Sequence, residues 1–138
     1  MVDYNIIREF KAMFETNEPL PYSIKYHIDV KDKKKVQASL LGYMLVHPES
    51  RNEIFSKTSD FSFWDTNFIE IVKYVQKLGS KVGQRKIFEF QMNKHKLLTP
   101  VIEYTFNSCW FYRNIDKSVI DNILKEITTI GEESEHSQ

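Results

Sequence analysis

Apolar residues spaced by three and four run through most of this chain, and that spacing restricts it to helices that each bury one face. The clearest case is Phe68, Ile71, Val72, Val75 and Leu78. Ser62 and Asp65 stand where a cap belongs, and Gly79 stands where a left-handed residue closes a helix. Lys73 and Lys77 fall toward the negative end of that helix dipole. Val36, Leu40, Leu41, Met44 and Leu45 form a second stripe that must end before Pro48. A third, Val119, Ile120, Ile123, Leu124 and Ile127, opens at Asp116 and closes at Gly131. A fourth, Ile6, Ile7, Phe10, Met13 and Phe14, has Asp3 as its cap and Pro19 and Pro21 as its stop. Ser50 and Glu53 have capping-box spacing and predict a short helix carrying Ile54 and Phe55.

One stretch breaks the pattern. Tyr22, Ile24, Tyr26, Ile28 and Val30 alternate with Ser23, Lys25, His27 and Asp29. A period of two predicts a half-buried strand, and a strand needs a partner for its backbone. Phe88, Phe90 and Met92 alternate in the same way and offer one. Residues 84–93 read equally as helix or strand. The expected fold class is mainly α, with a short β element near residues 22–30 as the open alternative.

Composition excludes several classes. The chain has 138 residues, 41% of them hydrophobic, with ten Phe, seven Tyr and two Trp. That is one domain at about 100–200 residues each, with ample material for a core. Four Gly and four Pro argue against a low-complexity chain. Nineteen basic residues balance nineteen acidic ones, so no global charge draws the chain to nucleic acid or lipid. Cys109 is the single cysteine, which excludes an internal disulfide framework and fits a reducing compartment. No apolar run approaches the about 20 residues of a membrane span. The first residues carry acid and base where a secretion signal is apolar. The expected localisation is cytoplasmic, with no membrane partner. One domain over 1–131 and a disordered acidic tail over 132–138 complete the expected organisation.

No constellation for catalysis emerges. Gly79-Ser80-Lys81-Val82-Gly83 lacks the Gly-Lys-Ser/Thr ending of a phosphate-binding loop and reads as a helix stop. His27, His47, His95 and His136 are scattered, without metal-ligand spacing. Cys109, between Phe106 and Trp110, reads as a small buried hydrophobe, and Asp60 and Asp65 read as helix caps. No catalytic residue, cofactor or metal is expected.

Two surface signals remain. From Lys73 to Lys96 there are seven bases and one acid, a local charge of +6; from Ile115 to the end, six acids and two lysines give −4. The basic stretch is either a set of solvated helix faces or a patch for an anionic partner, nucleic acid included. Phe61, Phe63, Trp64 and Phe68 are crowded together, as are Trp110, Phe111 and Tyr112. A helix cannot turn three consecutive rings toward one core. They fill a wide core, mark a protein interface, or stack on bases.

Ala38-Ser39-Leu40-Leu41-Gly42 is followed by Met44-Leu45-Val46, Pro48-Glu49, Asp60-Phe61, Phe68-Ile69 and Leu78-Gly79. On these residues the stretch from Ala38 to Gly79 resembles the N-terminal domain of DnaB-type replicative helicases, itself related to the helicase-binding domain of DnaG-type primases. Gln37-Ala38 replaces the family's Glu-Gln pair, and Thr66-Asn67 its His-Arg pair. The resemblance implies a helical bundle to about residue 95 followed by a helical hairpin. Leu97–Tyr112 and Ser118–Thr129 would be its arms, turning around Asn114. It also implies a subunit or partner contact at Trp110, Phe111 and Tyr112.

The expected function is therefore that of a non-catalytic protein-interaction domain of the DNA replication machinery. Its partner would be a replicative helicase, a primase or a second copy, with Lys73 and Lys77 steering association. The rival, favoured by the alternation at 22–30, is a small phage- or plasmid-type inhibitor or immunity protein of α+β fold. Single-strand nucleic-acid binding through the 73–96 segment is a third expectation.

Overall fold

A computed structural model describes residues 20–58 and 63–136 (for Tyr22 and residues 128–136, the backbone only). The predicted first helix, Ser62 and the Asp60-Phe61 pair lie outside the described residues. The rest is mainly α, and no strand occurs among the described residues. The helices are α1 (Tyr22–Lys25), α2 (Lys33–Val46), α3 (Arg51–Lys57), α4 (Thr66–Leu78), α5 (Arg85–Lys94), α6 (Pro100–Phe111) and α7 (Lys117–His136), with a 3-10 turn at Pro48–Ser50.

α2 is the axis of the fold. Every residue from Val36 to Leu45 is buried, polar Gln37 and Ser39 included. A helix apolar all round must be surrounded, and α6, α4 and α7 pack on it. Gly42 permits a close backbone approach between α2 and α6. A Cβ there would lie 2.0 Å from the Cys109 carbonyl oxygen and 3.0 Å from the Arg113 nitrogen, both backbone atoms of α6 and its end.

Arg51 joins two helix ends. Buried at the start of α3, it donates from Nε to Met44 O (2.6 Å), from Nη2 to Leu45 O (3.0 Å) and from Nη1 to Gly79 O (2.7 Å). Those carbonyls lack intrahelical partners, and a cation also opposes the negative ends of α2 and α4. Gly79 closes α4 with a φ of 60° that favours glycine, but its ψ of −119° lies outside the left-handed helical conformation expected of it. An aromatic stack ties α4, α5 and α6 together: Phe88 and Phe106 lie parallel at 4.1 Å, and Tyr74 meets Phe88 edge-on at 5.1 Å.

Two expectations meet a different outcome, the strand at 22–30 and the helix stop at Gly131. The alternation at 22–30 makes no strand, because its backbone bonds close locally. Pro21 O accepts from Ile24 N and Lys25 N (both 2.9 Å), and Asp29 Oδ1 accepts from Lys31 N (3.0 Å). Its proposed mate is helical instead: Phe88 and Met92, four apart, are buried in α5, and Phe90 points outward. The two arms expected over 97–130 are present as α6 and α7, joined through a turn at 112–116. α6 packs chiefly on α2 and α4, and α7 on α2 and α3. The Gly42 contact draws α6 into the bundle. Finally, the backbone of α7 continues past Gly131 to His136.

Side-chain caps appear at some expected positions only. Asp116 Oδ2 accepts from Ser118 N (3.0 Å) at the start of α7. Asp65 makes no side-chain cap bond at the start of α4. Asp32, not singled out by the pattern, accepts through Oδ1 from Lys35 N (3.2 Å) at the start of α2. Ser50 makes no side-chain cap bond, so the capping box with Glu53 does not form.

Candidate functional site

Helical spacing on α6 places Val101, Tyr104, Thr105, Ser108, Phe111 and Tyr112 along one side, at i, i+3, i+4, i+7, i+10 and i+11. These residues form one wall of a cleft of about 440 Å³. Ala38 of α2 and Phe68 of α4 supply further apolar lining, and the rim carries Asp32, Lys34, Lys35, Asp65 and Asn67. The cleft therefore opens where the starts of α2 and α4 meet the side of α6.

A buried amide holds those two starts together. Gln37 Oε1 accepts from Asp65 N (2.7 Å), and Gln37 Nε2 donates to Asp65 Oδ2 (3.0 Å) and to Lys33 O (3.2 Å). Lys33 Nζ reaches Asp65 at 3.3 Å, and Lys35 Nζ reaches Asp32 at 3.7 Å. Burial pushes the Asp65 carboxyl up, but hydrogen bonds from Gln37 and Lys33 and the charges of Lys33 and Lys34 outweigh it. The group is held below its usual range. Asp65 is thus occupied as a strut and is not poised as a base. Burial, with the charge of Asp32 and the neighbouring Tyr104, raises the Tyr112 phenol. It stays neutral and can donate or accept a hydrogen bond at the cleft wall.

The five residues predicted to bind a partner divide between separate places. Phe111 and Tyr112 line the cleft. Trp110 is on the opposite side of α6, stacked on Phe106 at 6.2 Å, with the Arg113 guanidinium 4.6 Å above its ring. Lys73 and Lys77 line a second groove, between α4 and α5, with Gln91, His95 and Leu97. The crowded rings earlier in the chain are partly core: Trp64 is buried, its Nε1 donating to Thr58 O (3.3 Å), and Phe68 lies beneath the cleft. Sequence reasoning missed Val101, Tyr104 and Ala38. The spacing on α6 could have found the first two, but the segment is so uniformly apolar that no single face stands out.

The reactive side chains stay apart. Cys109 is fully buried, and burial raises its thiol well above the ordinary value, so it holds a proton at neutral pH. His47 stacks on Tyr43 at 3.9 Å, with Nδ1 3.0 Å from Tyr43 O. His27 and His95 are exposed. Among the described residues no three His, Cys, Asp or Glu side chains gather as a metal site would require, and no helix is long and apolar enough to cross a membrane. What the cleft offers chemically is burial: an apolar seat beside mixed charges. Compared with protein families, curated proteins and solved structures, the chain matches none of them.

Proposed function

We propose that this chain is a non-catalytic docking domain of the DNA replication machinery. It engages a replicative helicase, a primase or a second copy of itself in the cytoplasm. The observation that carries the reading is the cleft on α6, a mainly apolar seat rimmed by Lys34, Lys35, Asp32 and Asp65. Grooves of this kind accept the apolar face of an amphipathic helix, and rim charges set its register and speed its approach. The resemblance over 38–79 supplies the replication context. It is supported by the element order α2, Pro48 turn, α3 and α4, with α4 ending at Leu78-Gly79. The α+β inhibitor reading loses its fold premise, since no strand occurs among the described residues.

The test is calorimetric titration of the purified protein into helicase and into primase from the source cell, beside light scattering of the protein alone. Binding or self-association that Tyr112→Ala weakens at least about tenfold, or about 1.4 kcal/mol, supports the reading. A strict monomer with no affinity for either partner overturns it.

A further inference from the structure

The second groove and the outer face of α5 present a different chemistry. Phe90 is 69% exposed, the most exposed of the large hydrophobics on the described surface, and Ile87 beside it is 41% exposed. Lys86 and Lys94 stand one turn before and after Phe90, so the ring is flanked by cations on one helix face. Around the helix, Gln91 and His95 lead into the groove that Lys73 and Lys77 line from α4.

The charges here are mostly uncompensated. Arg85 is occupied by Glu89 (3.0 Å) and Glu103 (3.5 Å), and Lys73 by Glu70 (3.3 Å). Lys77, Lys81, Lys86, Lys94 and Lys96 have no acid within ion-pair distance among the described residues. Protein interfaces deplete lysine and surround a desolvated apolar centre. Here one ring stands in water among lysines. A flexible polyanion with flat apolar groups satisfies both features: phosphates neutralise the lysines, and a base covers the ring.

We propose that this α4–α5 face binds single-stranded nucleic acid, with Phe90 as the stacking platform and Lys77, Lys86 and Lys94 on the phosphates. The site is independent of the α6 cleft and stands whether or not the cleft docks a replication protein. The experiment is fluorescence anisotropy with a labelled oligothymidine over a salt series. The full chain is compared with Phe90→Ala and with Lys86→Gln/Lys94→Gln, all exposed positions, and circular dichroism verifies their folding. Affinity should fall as salt rises. Phe90→Ala should weaken binding by about 5- to 150-fold, the worth of one stacked base, with the salt slope unchanged. The double lysine variant should flatten the slope by about 1.4, at about 0.7 for each single-strand phosphate. Absent binding at low salt overturns the proposal, as does equal affinity for Phe90→Ala. It also falls if a duplex of the same length, polyglutamate or phosphatidylserine vesicles compete as well as the oligothymidine, since the face is then a general polyanion or acidic-protein surface.

Discussion

Gly42 and Asn107 show how far context can reverse a residue's ordinary preference. In a free helix, alanine is favoured over glycine by about 1 kcal/mol. At position 42 the added methyl would meet the Cys109 carbonyl at 2.0 Å, and backbone cannot step aside as a side chain can. We expect Gly42→Ala to cost more than about 2 kcal/mol by separating α2 from α6, read as a lower urea midpoint; an unchanged midpoint would refute the crossing. Asn107 is fully buried, and its Oδ1 and Nδ2 have no hydrogen-bond partner among the described residues. An unmet buried amide costs about 1–3 kcal/mol, so Asn107→Leu should raise the melting temperature. A fall would mean that the amide has a partner in solution.

Among the elements, those joined by Arg51 behave as one. Its guanidinium closes the ends of α2 and α4 together, and among the described residues no other side chain is seen to make that link. Arg51→Ala should cost at least about 3 kcal/mol, because charge-assisted bonds are worth about 1.5–3 kcal/mol each. Arg51→Lys should recover less than half of it, since a single ammonium cannot span three carbonyls. Thermal unfolding of both variants checks the order. Which elements were legible follows from the same physics. α4 could be read in full from Phe68 to Gly79, because one face is apolar, the other is polar, and the stop is a glycine. α5 could not, because Phe88, Phe90 and Met92 fit a period of two as well as 3.6 until tertiary packing selects Phe88 and Met92. The 22–30 alternation misled for a related reason: Pro21 and Asp29 capture the backbone locally, and pattern alone does not count hydrogen bonds. The burial of Arg51 left no trace in the sequence, where an arginine after Ser50 looks like a solvated first turn. Two of the five predicted site residues, Phe111 and Tyr112, line the cleft and were visible as surplus aromatic residues. Their separation from Trp110 became visible only once α6 had a defined neighbour on each side.

For the molecule as a whole, stability should depend on acid in a defined direction. The Asp65 carboxyl is held below its usual range by Gln37 and the Lys33 and Lys34 charges, and the Asp116 carboxyl by hydrogen bonds from Ser118. A carboxyl whose folded value lies below its unfolded value stabilises the fold above the unfolded value, and that contribution is lost as pH falls through the folded one. The melting temperature should therefore drop as pH falls below about 4, the ordinary aspartate value. Asp65→Asn should start lower at neutral pH and drop less over that window. A parallel drop in variant and parent would remove Asp65 from the account. The enclosure of α2 has a consequence for genetics. Apart from Ala38, which lines the α6 cleft, the middle of α2 is buried, so lesions between Ser39 and Leu45 should act by making the protein scarcer or heat-sensitive. Alleles at Tyr112 or Phe90 should instead leave normal amounts of a protein that has lost one attachment, so abundance on a blot would sort the two kinds before any binding is measured.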